Sequence, residues 1–204
     1  MICFNRERLN LLWTSAALPG APEKCFEDLE RRYSEPHRHY HNSRHIDECL
    51  REFDFVRAEA INPFGLEFAI WFHDVVYDPH QSDNEEQSAQ FAAECLKAPG
   101  DLTWRIRELI LTTKTHLPGM VPDGALLIDI DLSIFGKSET RFFEYENGIR
   151  MEYAWVPEPL YREKRAEILR KFLERKRIYT TKHFFDLYEL SARRNISNSI
   201  ASLE

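Results

Sequence analysis

Apolar positions recur at three- and four-residue spacing along nearly the whole chain, the period of amphipathic helices packed on a core. The predicted fold is all-α: a single-domain helical bundle over residues 1–204. Asn5 to Leu18 and Pro22 to Tyr33 read as helices separated by PGAP. A histidine-rich turn, Pro36 to His41, leads into a helix from about Asn42 to Glu59, which Asn62-Pro63 breaks. The stretch FGLEFAIWFH, Phe64 to His73, is nearly all apolar and reads as a buried central helix. Asp78-Pro79 marks a turn, and Asp83 or Asn84 is placed to cap a helix running to about Lys97. Pro99-Gly100 ends it. Further helices are expected over Leu102 to Thr115, Thr140 to Tyr153, Leu160 to Arg177 and Thr181 to Ser199, with LPGMVPDG as a loop. The alternation in ALLIDIDLSIF, Ala125 to Phe135, also suits a strand. A lone strand amid helices lacks partners, so this segment is read as helix. A metal-site core is expected at about 36–136, with C-terminal helices at about 138–200.

Composition narrows the choices. Hydrophobic residues make up 43% of the chain, enough for a sizeable core, and 7 glycines are too few for a many-turned β fold. A formal net charge of −7 argues against a nucleic-acid partner, which would want basic residues. It still permits a small phosphorylated substrate, because a metal can carry the local positive charge. No stretch approaches the roughly 18 uncharged apolar residues of a membrane span, so the expectation is a soluble, cytoplasmic protein. Cys3, Cys25, Cys49 and Cys95 form no CxxC pair and no zinc spacing, and are read as reduced, mostly buried thiols.

Three motifs carry chemistry. In HRHYHNSRH, His37 to His45, a helix starting near Tyr40 would stack His41 and His45 one turn apart. By itself this is as well explained by a solvated histidine-rich turn. In WFHD, His73 and Asp74 close the most apolar helix, where an imidazole and a carboxylate are costly unless paired or metal-bound. A His–Asp hydrogen bond at a helix end is the plainer alternative. In LLIDIDLSIF, Asp129 and Asp131 interrupt an apolar run. Residues two apart on a helix point in different directions, so one of the two is a ligand and the other a cap or ion-pair partner.

Together these motifs resemble the HD superfamily of metal-dependent phosphohydrolases, whose pattern H…HD…D reads here as His45, His73-Asp74 and Asp129, at spacings of 28 and 55 residues. The resemblance is closest to a bacterial subgroup of predicted HD hydrolases, through YHNSRHI, AIWFHDVVYDP, SDNEEQSA, LLIDIDLSIFG and IRMEYAWV. It implies an HD-type helical bundle with His45, His73, Asp74 and Asp129 as metal ligands. The YHNSRH segment is also similar to that of the cyclic-nucleotide phosphodiesterases. That similarity implies His45 as ligand and His41 as the general acid. HDVVYD is similar to the HDVVED stretch of the alarmone hydrolases, with Tyr77 in place of the glutamate and Asp78 retained as a candidate for positioning water.

Two imidazoles and two carboxylates suit Mn²⁺, Fe²⁺, Co²⁺, Ni²⁺ or Zn²⁺, with Mg²⁺ also admissible. Such an ion would activate water and neutralise phosphoryl charge. Asp74 would serve as ligand and partial base. His41 would protonate the leaving group. Arg44, Lys114, His116 and Arg150 are candidates to contact the phosphate. Glu85 and Glu86 are explained by the dipole of the helix they begin, although Glu85 is also placed to orient water. The expected activity is hydrolysis of a phosphomonoester, phosphodiester or phosphoanhydride, with a nucleotide as the substrate class and a homodimer as an open possibility. The competing expectations are a non-catalytic, metal-stabilised binding or sensory module and a di-iron oxygenase of the same fold.

Overall fold

The computed structural model describes residues 3–119 and 121–204. Met1, Ile2 and Met120, the last in the expected LPGMVPDG loop, lie outside the described residues. Among the described residues there are ten α-helices and no strand. They are α1 Arg6–Ser15, α2 Glu23–Tyr33, α3 Ser43–Val56, α4 Pro63–Phe72, α5 Asn84–Leu96, α6 Gly100–Thr113, α7 Gly124–Asp131, α8 Glu139–Glu152, α9 Glu158–Leu173 and α10 Lys182–Leu203. The all-α prediction is met. The segment whose alternation also suited a strand is α7 followed by a 3-10 turn, Leu132–Gly136. No helix among the described residues is long and apolar enough to cross a membrane.

The chain divides into two compact units within α7, one ending at Ile128 and the other running Asp129–Glu204. The expected division between a core and C-terminal helices lay a few residues later, at about 136–138.

In the first unit α4 is the centre. Gly65 to Phe72 are all buried, and α4 packs against α3, α5 and α6. Asn62 begins it, its side chain accepting from the Gly65 N–H at 2.7 Å, with Pro63 at the first helical position. The one charged residue of α4, Glu67, is 3% exposed. Arg8 Nε approaches it at 2.7 Å and Arg57 completes the pair, so the acid is buried with its counter-charges. Asn5 and Asn42 cap α1 and α3 through their side chains.

Cys25 of α2 and Cys95 of α5 are joined in a disulfide, their Cα atoms 6.0 Å apart. This corrects the expectation of four reduced thiols. Residues 70 apart in sequence give no spacing signal, and only the placement of α2 and α5 brings them together. Cys3 and Cys49 remain thiols.

In the second unit α10 packs on α9 and on the 3-10 turn, and α8 packs on the same turn. Phe135 stacks edge-on against Phe172 at 4.9 Å. Residues 178–181 thread between these elements with four successive backbone N–H groups held by two acids. Glu189 accepts from Ile178 and Tyr179, and Asp129 accepts from Thr180 and Thr181. Gly136 allows the closest approach in this unit: a Cβ there would sit 2.3 Å from the Tyr188 Cβ.

Candidate metal centre

His45 lies in the first turn of α3, 2% exposed, and His73 follows the last residue of α4, also 2% exposed. The apolar character of α4 ends at these polar groups because the chain turns there. The His73 N–H still closes the helix on the Ala69 carbonyl at 2.9 Å, and Asp74 begins the exit. Three donor atoms converge. His45 Nε2 and His73 Nε2 are 3.1 Å apart. Asp74 Oδ2 is 3.4 Å from the first and 3.2 Å from the second.

Proton positions on His73 follow from its neighbour. Its Nδ1 is 3.0 Å from the Ile70 carbonyl oxygen, which can only accept. Nδ1 therefore carries the hydrogen, and in the neutral ring Nε2 presents its lone pair to the cluster. Burial pushes the Asp74 carboxyl up, but the charges of His73 and His41 and hydrogen bonds from His45 and His73 outweigh it. The group is held well below its ordinary range, so Asp74 is a carboxylate at neutral pH.

The separations test whether these atoms suit a cation. Ligands at about 2.1 Å from one ion are about 3.0 Å apart on an octahedral face and about 3.4 Å apart on a tetrahedral one. The three observed separations, 3.1, 3.2 and 3.4 Å, span that interval. His45, His73 and Asp74 form a group that could hold a metal ion. Two imidazole nitrogens and a carboxylate oxygen are borderline donors, suited to first-row divalent ions.

The loop carrying Asp74 is stitched down by residues that the sequence did not single out. Arg38, 5% exposed, donates to the carbonyls of His41 at 3.0 Å, Asp74 at 2.6 Å and Val75 at 3.0 Å. From the other side, Ser88 and Asn84, four apart on α5, bind the loop backbone. Ser88 Oγ accepts from the Val76 N–H at 3.0 Å, and the Asn84 carboxamide accepts from the Asp78 N–H and donates to the Asp78 carbonyl. Asn84 therefore faces back to the loop and does not cap α5. Asp83 precedes α5 without a side-chain bond to its backbone. Arg38 was hidden among histidines, and SDNEEQSA was read as a helix start and as part of the family resemblance, with no role for Ser88.

The other expected site residues are placed as follows. The His41 ring stacks on Tyr77 at 4.1 Å and lies 6.1 Å from the His45 ring, so it borders the cluster. Asp78 accepts from the His80 N–H at 2.9 Å, forming its own turn. Arg44 is exposed and donates to Glu48 at 3.2 Å. Lys114 Nζ reaches the Ser82 carbonyl at 2.8 Å and Glu86 at 2.5 Å, at the start of α5. His116 has φ 49°, in the turn after α6. Glu85 is half-buried; burial and the nearby charge of Asp74 raise its carboxyl. In the second unit, Arg150 donates to Glu158 and to the Tyr153 and Val156 carbonyls. These bonds tie α8 to the start of α9.

Asp129, the fourth ligand implied by the family pattern, is fully buried and has both oxygens engaged inside the second unit. Oδ1 accepts from the Thr180 N–H at 3.0 Å, and Oδ2 from the Thr181 N–H at 2.6 Å and the Thr181 hydroxyl at 2.7 Å. This geometry gives its burial a structural reason: it holds the backbone of Thr180 and Thr181. Asp131 ends α7, half-buried.

Comparison with known protein families, characterised proteins and solved structures finds no match to this chain.

Proposed function

We propose that the protein is a metal-dependent phosphohydrolase of the HD type, acting on a small phosphorylated substrate of the nucleotide class. One observation carries the proposal: His45 Nε2, His73 Nε2 and Asp74 Oδ2 converge within 3.1–3.4 Å of one another at the end of an apolar helix. His45, His73 and Asp74 would hold the divalent ion, Mn²⁺, Fe²⁺, Co²⁺, Ni²⁺, Zn²⁺ or Mg²⁺. Such an ion, when bound, supplies Lewis acidity for a phosphoryl oxygen and for water.

The chain's own groups then divide the remaining work. Asp74 has its other oxygen available to accept a proton from water. His41, held flat against Tyr77, is the proton donor to the leaving oxygen, a role matched to an imidazole near neutral pH. Arg38 fixes the carbonyls on either side of the loop, so that Asp74 is presented in one orientation. Lys114, at the start of α5, is a candidate cation for a phosphate. It would have to leave Glu86, an exposed ion pair of small worth. A cytoplasmic location belongs to the same proposal, and there Cys25–Cys95 would face reducing conditions.

The test is phosphate and pyrophosphate release from a nucleotide panel with added Mn²⁺, for wild type and Asp74→Ala. Turnover abolished in a folded variant supports the proposal. Absence of turnover on every nucleotide, with metal bound, removes the nucleotide class.

A second enzymatic reading has a specific observation behind it. Two histidines and one carboxylate are also the ligand set of mononuclear non-haem iron oxygenases. Oxygen consumption supported by Fe²⁺ and by no other divalent ion would favour that reading.

A further inference from the structure

The side chain of Arg32, in the last turn of α2, has no hydrogen-bond or ion-pair partner among the described residues. Its Nε is shut off from solvent with no acceptor. Its guanidinium lies over the Phe91 ring of α5, 4.5 Å from the centroid. The two side chains border an open groove of about 340 Å³ between α2 and α5, with Val76 and Gln87 also on its wall.

The two carboxylates at this groove have hydrogen-bond partners of their own. Glu86 accepts from Lys114 at 2.5 Å, and Glu94 accepts from Gln90 at 2.6 Å. Gln90 accepts in turn from Arg107 at 3.2 Å. Arg32 is therefore the lining cation left without an acceptor. A buried donor without an acceptor costs free energy, and it is retained where something supplies the acceptor. Cys25–Cys95 joins α2 to α5 towards their far ends.

Stacking on Phe91 determines how an acceptor can approach. Phe91 occupies the space on one side of the guanidinium carbon, while all the N–H groups of a guanidinium lie in its plane. A ligand must come edge-on with two acceptor oxygens in that plane, the geometry offered by a phosphate or a carboxylate. The volume exceeds that of a bare oxyanion and admits a small organic body beside Phe91.

The geometry points to a second, metal-independent binding site: the α2–α5 groove takes a small organic phosphate or carboxylate, held by Arg32 against Phe91. None of its lining residues belongs to the metal cluster, although Glu86 of the lining pairs with Lys114, so the test is made on metal-free protein with no phosphohydrolase substrate present.

The experiment is an NMR titration of the Arg32 Nε–H signal in metal-free protein with inorganic phosphate and, separately, acetate, each to millimolar concentration. The signal is assigned by its loss in Arg32→Gln. The expected result is a saturable shift with at least one probe, unchanged in Asp74→Asn. Binding should also be weakened at least tenfold in Arg32→Lys, which keeps the charge and lacks the fork. A shift with phosphate alone identifies a phosphate-bearing ligand, and a shift with acetate alone a carboxylate. No saturable shift with either probe overturns the proposal, as does loss of binding in Asp74→Asn. The wild-type titration decides the matter even if the Arg32 variants do not fold.

Discussion

His45 and His73 bring their Nε2 atoms to 3.1 Å, while the opposite nitrogen of His73 is held by the Ile70 carbonyl. Two buried lone-pair nitrogens do not rest at that distance without a proton or a cation between them. Asp74 stands within 3.4 Å of both. If that partner is a divalent ion, as the proposed function requires, the ion stabilises the folded state. Thermal unfolding should shift upward with Mn²⁺, by about 2.7 kcal/mol of stability at a hundredfold excess over Kd. His73→Ala should show no such shift.

Arg38 is the second test of the site. Arg38→Met keeps the apolar bulk and removes the donors to His41, Asp74 and Val75. The expected cost is about 2–4 kcal/mol in urea unfolding, from carbonyls left without a partner. Metal affinity should fall roughly 10–100-fold, as for other residues that orient ligands. Unchanged affinity in a folded variant would show that the loop holds itself.

Asp129→Ala should act on stability. It leaves the N–H groups of Thr180 and Thr181 without their acceptor, at a cost of about 1–3 kcal/mol. Amide exchange at those two residues should accelerate more than elsewhere in the second unit. Equal protection in variant and wild type would contradict the backbone-holding role.

Gly136→Ala should be among the most damaging single-methyl changes. The added Cβ meets the Cβ of Tyr188, which cannot swing away without moving α10. Loss of about 1–3 kcal/mol or more is expected, read as a lower thermal midpoint. Gly20→Ser, where nothing lies within 4 Å, tests a different cost. Any loss there comes from its positive φ and not from crowding.

Alkaline pH should unfold the second unit through Tyr145. Burial pushes its phenol up from 10.0 to about 12, the charge of Arg165 opposing. Because the folded value is the higher one, this contribution is complete below pH 10 and is lost as pH rises towards 12. Two units correspond to about 3 kcal/mol. The Tyr145 phenolate absorbance, isolated as the difference between wild type and Tyr145→Phe, should rise together with loss of helical ellipticity above pH 10. Phenolate appearing first, with the helices intact, would contradict a buried neutral Tyr145.

Helix positions were legible in the sequence because each apolar face meets a core with the period of a helix. The extremes of α4 show this well: it was read as Phe64 to His73 and runs Pro63–Phe72. His45, His73 and Asp74 were legible because polar groups at the end of an apolar helix require a partner. Asp129 satisfied the same rule for a different reason. A buried carboxylate requires donors, and a chain alone does not say whether they are a cation or the backbone of residues fifty positions later. Arg38, Ser88 and Cys25–Cys95 left no trace, since their partners are set by packing and not by spacing.

The most direct test is calorimetric titration of Mn²⁺ into metal-free wild-type protein, beside His73→Ala. Saturable binding in the wild type that disappears in the folded variant is the predicted result. No binding in the wild type, or equal binding in both, would contradict a metal centre at His45, His73 and Asp74.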